Sequence, residues 1–152
     1  MVLAVHVGGD LGAMIKQLRQ AKFAGVILGA HESEEPTVID VAGSFSEGLT
    51  MLSPELPKDG AHVKQFRENY RKRFQQEPGV LAANAFDSTE IAIRSLHACN
   101  FDADCAKDKV YLLKDYPGVS GKFSITPEGG TIKSFVVKKV EGGVFKEFGR
   151  PK

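Results

Sequence analysis

The chain has 152 residues, 42% apolar and 26% charged, enough for one substantial core and inconsistent with a disordered or collagen-like polymer. No uninterrupted apolar run approaches the roughly 20 residues of a membrane-spanning helix. Twenty basic and nineteen acidic side chains leave +1, too little field for general nucleic-acid or anionic-membrane binding, and small or neutral partners are expected.

Met1 is followed directly by VLAVHV, which lacks the charged start, long apolar stretch and cleavage site of a signal peptide. The expectation is a cytosolic protein or one whose front is missing. Val2–Val7 reads as a strand buried on both faces, ending in Gly8-Gly9-Asp10. Asp10 is a natural N-cap for a helix over 11–23, in which Leu11, Met14, Ile15 and Leu18 share one face. A strand over 25–29, a loop, a helix over 36–43 and a strand over 48–53 follow. This alternation predicts an α/β fold with a Rossmann-like parallel sheet, flanking helices and right-handed crossovers.

Beyond Pro54 and Pro57 the spacing predicts helices over 60–76, 80–98 and 104–114. The first is lined by Val63, Phe66, Tyr70 and Phe74, the second by Leu81, Ala85, Ala92 and Leu96. The tail alternates over 119–125, 132–140 and 144–148, with hairpin turns at 128–130 and 141–143. No tandem repeat or low-complexity tract interrupts the chain.

In open parallel sheets ligands gather at the carboxyl ends of the strands, where helix N-termini point outward. Here those ends are Gly8-Gly9-Asp10, Ala30-His31-Glu32 and Ser53-Pro54-Glu55. Simpler roles compete: Asp10 as a helix cap, Glu32 to Glu35 as a solvated loop. The first turn has neither a dinucleotide nor a P-loop pattern, and Asp10 would repel phosphate. The four histidines show no metal-binding spacing, and His97, Cys99 and Cys105 supply only three ligands. No metal, cofactor or catalytic residue is therefore expected, and no nucleophilic elbow is present. Lys64, Arg67, Arg71, Lys72 and Arg73, offset by Glu68, are best explained as a solvated face rather than a nucleic-acid patch. Cys99 and Cys105 are close enough in sequence for a bridge contributing about 2 kcal/mol. Two free thiols in a reducing cytosol are the alternative.

Three phrases, GGDLGAMIKQLRQAKFAGVILG, FRENYRKRFQQEPGVLAANAFDSTEIAIRSL and LKDYPGVSGKFSITPEGGTIKSFVVKKVEGGVF, carry a resemblance. Together they resemble the substrate-binding proteins of branched-chain-amino-acid-type ABC transporters, the type I periplasmic binding proteins. The resemblance covers essentially the whole chain and corresponds to the carboxyl-terminal two-fifths of a family member, with the signal sequence and the first part of both lobes outside it.

The resemblance implies a partial two-lobed fold: 1–57 as the parallel part of the second lobe, 58–116 as helices packing on the first lobe, and 117–152 as the hinge return with the C-terminal hairpin. It implies an exported, periplasmic or extracellular protein that captures a small solute for an ABC permease, without catalysis. A ligand-sensing regulatory or receptor domain of the same fold is the alternative. Asp10 stands where relatives often place an aromatic contact, Phe86 at the Tyr of their G-Y-D-A phrase, and His31 where amino-acid binders carry a Glu for the ligand ammonium. Asp10 or Glu32 could replace that Glu. Otherwise the ligand is an organic or aromatic acid, with His31 donating to its carboxylate and Phe86 stacking on its ring. Export favours a Cys99–Cys105 disulfide. Helices 60–114 would present apolar faces that normally cover a sheet lying outside this chain, so a homodimer or domain swap through them is expected.

Overall fold

The alternation of apolar runs and amphipathic stretches is realised, in a computed structural model describing residues 1–6 and 8–150, as strands and helices in the expected order as far as Tyr111; beyond it the strand expected over 119–125 begins only at Gly121, because Val119 and Ser120 form a hairpin turn with a further strand, Tyr116–Gly118, before it. These are β1 (Val2–Ala4), α1 (Gly8–Gln20), β2 (Ile27–Gly29), α2 (Pro36–Ala42), β3 (Thr50–Pro54), α3 (Ala61–Phe74), α4 (Val80–Ala98) and α5 (Ala103–Tyr111). Then come β4 (Tyr116–Gly118), β5 (Gly121–Ile125), β6 (Thr131–Lys133), β7 (Phe135–Val140) and β8 (Phe145–Gly149). Short 3-10 turns at His31–Ser33 and Gly43–Ser46 flank α2.

Among the described residues, one sheet has the order β1-β2-β3-β7-β8 and another the order β4-β5-β6. In the first, β1, β2 and β3 pair in parallel, β7 joins β3 antiparallel, and β8 folds back on β7. The mixed α/β architecture with a C-terminal antiparallel hairpin is therefore present. The chain divides into two compact units, residues 1–54 with 135–152 and residues 55–134. These divisions fall at 54/55 and 134/135 rather than 57/58 and 116/117. The cause is that β4, β5 and β6 pair with one another and remain with the helices.

Unit 1 is organised by one face of its sheet. Ala4, Ile27, Met51 and Val140 pack against Leu11 and Ile15 of α1 and Val38 and Ala42 of α2 in a single buried cluster. The opposite face is open, with Leu3 66% and Leu52 49% exposed. The expectation that the first strand is buried on both faces is thus corrected: its apolar residues alternate between a covered and a bare side. Asp10 is likewise not the N-cap. The helix already begins at Gly8, which puts Asp10 in its first turn, exposed, where its charge complements the helix dipole.

Unit 2 departs from the sequence pattern in helix orientation. The residues of α4 that turn inward are Val80, Ala83, Asp87, Ile91 and Ser95, whereas Leu81, Ala85 and Ala92 face outward. The inward row is spaced by three and then four residues, a proper helical stripe that includes two polar side chains. The last helix stops at Tyr111, short of 114. The continuous strand expected over 132–140 is split at Ser134, where the chain leaves one sheet for the other.

Candidate functional site

Strand β2 ends at Gly29, and the chain turns immediately. Ala30 is extended, His31–Ser33 make a single 3-10 turn, and an extended Glu35 precedes Pro36 at the start of α2. Proline suits that position because the first helical N–H has no intrahelical partner. The turn places His31, half-buried, at the carboxyl end of the parallel strands, on the margin of an apolar groove of about 500 Å³. Leu3, Leu28, Leu52, Phe135 and Val137 line it from the open sheet face, with Thr50.

The turn is held by a polar contact between residues far apart in the chain, with no local pattern to announce it. Glu34 accepts hydrogen bonds from the Ser53 hydroxyl of β3 and from the Lys138 ammonium of β7. The Glu34 and Lys138 side chains are only 18% and 19% exposed. An ion pair this sheltered contributes little net stability, but removing one member strands the other charge, so it fixes geometry. The Glu34 carboxylate is thereby committed to the scaffold. The neighbouring Ser33 hydroxyl is buried without a hydrogen-bond partner.

The other candidates are placed as follows. Asp10 stands exposed on α1 and is not among the residues lining the His31 groove. The Glu32 side chain lies outside the described part of the structure. Phe86 belongs to unit 2, 43% exposed on α4, with its ring 4.9 Å from that of Phe66. Together with Tyr70, Phe74, Arg73 and Glu90 it lines a second groove, of about 350 Å³. His31 and Phe86 thus belong to separate grooves, one in each unit.

Two ionisable groups of unit 2 are perturbed. Burial, then the hydrogen bond to Glu90 (3.1 Å) and its negative charge, push the Tyr116 phenol above its ordinary value, against the opposing Arg94. Burial lowers the Lys133 ammonium, against the favourable charge of Asp87. Cys99 and Cys105 are joined in a disulfide with Cα atoms 5.8 Å apart. On the basic helix α3, Arg71 pairs with Glu77 at 2.6 Å in an exposed position. Among the described residues no group of three or more His, Cys, Asp or Glu could hold a metal ion. No helix among them is long and apolar enough to cross a membrane.

Comparison with known proteins places this arrangement. The periplasmic binding protein family matches residues 1–143. Among solved structures, the leucine-binding protein LivK of Thermotoga maritima is 26% identical, with a TM-score of 0.81 over 95% of this chain and 42% of its own. The isoleucine-bound LivJ of Streptococcus pneumoniae, a branched-chain amino acid transporter substrate-binding protein, is 21% identical, with a TM-score of 0.79 over 98% of this chain and 44% of its own. A solute-binding protein of an ABC transporter from R. palustris, in complex with benzoate, is 18% identical, with a TM-score of 0.77 over 98% of this chain and 42% of its own. None of the curated proteins compared matches the chain. The chain spans less than half the length of these solved relatives. With the family match extending over nearly all its residues, the chain belongs to the periplasmic binding proteins, a family of binding proteins and receptors.

Proposed function

We propose that this chain supplies one side of the solute site of an exported substrate-binding protein, and that its ligand is a small organic acid with an apolar body, either an amino acid or an aromatic acid. The observation that carries the reading is His31. It stands at the carboxyl end of β2, beside apolar surface, while the nearby Glu34 carboxylate is occupied by Ser53 and Lys138. An imidazole donor recognises a carboxylate, whereas an ammonium group would need an anionic partner that Glu34 does not offer. Asp10 and Glu32 remain the residues that would serve an ammonium, while Phe86 packs beside Phe66 in the groove of the other unit and has no part in the His31 groove. The names of the relatives, covering leucine, isoleucine and benzoate, support both ligand classes.

In this reading the solute is handed to an ABC permease in the periplasm or at the cell surface, and no bond is made or broken. Ligand sensing is the second reading, supported by the likeness to an extracellular ligand binding receptor from Desulfohalobium retbaense, of which the chain covers 26%. Pairing of copies through residues 60–114 is supported by the outward Leu81, Phe86 and Ile93 of α4.

Calorimetric titration of the protein with leucine, isoleucine and benzoate, and with the matching carboxamides, tests the ligand class. We expect at least one acid to bind, its amide to bind at least tenfold more weakly, and His31→Ala to remove that preference. Equal binding of acid and amide, or a preference that survives His31→Ala, would overturn the assignment.

A further inference from the structure

The most deeply placed acid in unit 2 has no part in the solute reading. Asp87 is 2% exposed on the inward stripe of α4. Its Oδ1 accepts the Val119 N–H at 2.9 Å and its Oδ2 accepts the Ser120 N–H at 2.8 Å. Two backbone donors on one carboxylate satisfy a buried charge that would otherwise be costly. Lys133 closes the arrangement: its ammonium donates to the Ser120 hydroxyl at 2.7 Å and to Asn84 Oδ1 at 3.0 Å, and lies over the Phe123 ring.

The turn that Asp87 grips is tied to the two places where the chain crosses between units. A Cβ at position 118 would sit 2.2 Å from Asp87 Oδ2, so the carboxylate reaches the backbone only because that residue is glycine. Gly121, with φ +107°, brings the turn against the outgoing segment, where a Cβ would lie 2.8 Å from the Glu55 carbonyl oxygen. The Glu55 N–H in turn donates to the carbonyl of Ser134 at 3.0 Å, on the returning segment, one residue after Lys133.

We propose that Asp87 is a positioning residue that anchors both crossover segments to helix α4, holding Glu55 through the Val119–Gly121 turn and Ser134 through Lys133. The KDYPGVSGK phrase is then explained as the part of this anchor that meets the carboxylate. Its role is independent of the solute, since none of its bonds involves the His31 groove.

Residue-resolved amide hydrogen exchange on the 152-residue chain tests the anchor. In Asp87→Asn one oxygen becomes an amide donor facing a backbone N–H, and exchange at Val119 and Ser120 is expected to rise tenfold or more. The distinctive result is a comparable rise at Glu55, while Val140, which bonds to Leu49 in unit 1, keeps its protection. Unchanged Glu55 alongside faster Val119 and Ser120 would overturn the proposal, because Asp87 would then hold only its own turn. Should Asp87→Asn unfold unit 2, Lys133→Met keeps the aliphatic stem, removes only the ammonium bonds, and is expected to speed Glu55 by a smaller factor. Ala106→Gly weakens α5 away from the cluster; if it speeds Glu55 as much as Lys133→Met does, the effect is general loosening and the anchor assignment falls.

Discussion

The two units of this chain solve the same stability problem with different materials. Unit 1 packs Leu11 and Ile15 of α1, Val38 and Ala42 of α2, and Ile27, Met51 and Val140 of its sheet into one continuous apolar cluster. In unit 2 the corresponding buried cluster is Phe66, Ala83 and Val119, while α4 turns Leu81, Phe86 and Ile93 toward the outside. Unit 1 has one sheltered polar tie, Glu34 with Ser53 and Lys138; unit 2 combines the two Asp87 bonds to the Val119–Ser120 turn with the Cys99–Cys105 bridge. The difference teaches that the apolar content of a helix does not decide where its stability comes from. What matters is which of its residues find something to pack against, and where few do, polar and covalent ties carry more of the load.

The largest expected effect strikes the packed unit. Ile15 is fully buried between α1 and the sheet, and Ile15→Ala removes three carbons from a region with little room to collapse. A loss of about 3 kcal/mol follows, read as a fall in the urea midpoint for unit 1 probes. A loss under about 1 kcal/mol would mean that unit 1 is no better packed than unit 2, and the contrast would disappear. Next comes the covalent tie. Cys99→Ser with Cys105→Ser opens a loop with a sequence separation of 6, and chain entropy puts the cost at about 2 kcal/mol. The loss should appear in α4 and α5 amide protection and leave α1 and α2 untouched; an equal loss in both units would show that they unfold as one body and that the comparison has no energetic meaning.

Much of unit 1 was legible because periodicity and burial agree there. Leu11, Met14, Ile15 and Leu18 announce a helix face, and the Gly29 stop after a short apolar run locates His31 at a strand end. Agreement failed where buried positions are polar. The inward stripe of α4 contains Asp87 and Ser95, so an apolar count selects Leu81, Ala85 and Ala92, which face the other way. The apolar pattern draws attention to Phe86 and away from Asp87 beside it. The available signal was an acid directly after an aromatic in the otherwise uncharged run VLAANAFDST, an unfavourable choice for a helix interior unless something pairs with it. The Glu34–Lys138 contact was beyond reach, since 104 residues separate its members and only the β3–β7 pairing brings them together. The break at Ser134 was hidden for a related reason: alternation continues through it while the chain changes sheets.

The smallest effect sharpens the comparison from inside unit 1. Met51 and Leu52 are neighbours on β3, yet Met51 is 2% exposed and Leu52 49%, because successive strand residues point to opposite faces. Leu52→Thr keeps good strand propensity and gives up only apolar surface that water already reaches, so its effect should lie within about 0.5 kcal/mol. Met51→Thr, which buries a hydroxyl and leaves a void, should cost several times more. The pair is best measured across a hundredfold range of protein concentration. If Leu52→Thr costs more than about 1 kcal/mol and the midpoint of the parent protein rises with concentration, the bare face is covered by a second copy in solution, because only association links stability to concentration. If the small cost holds at every dilution, Leu3, Leu52 and Phe135 are bare in the chain as it stands, and unit 1 owes its stability to one face of its sheet alone.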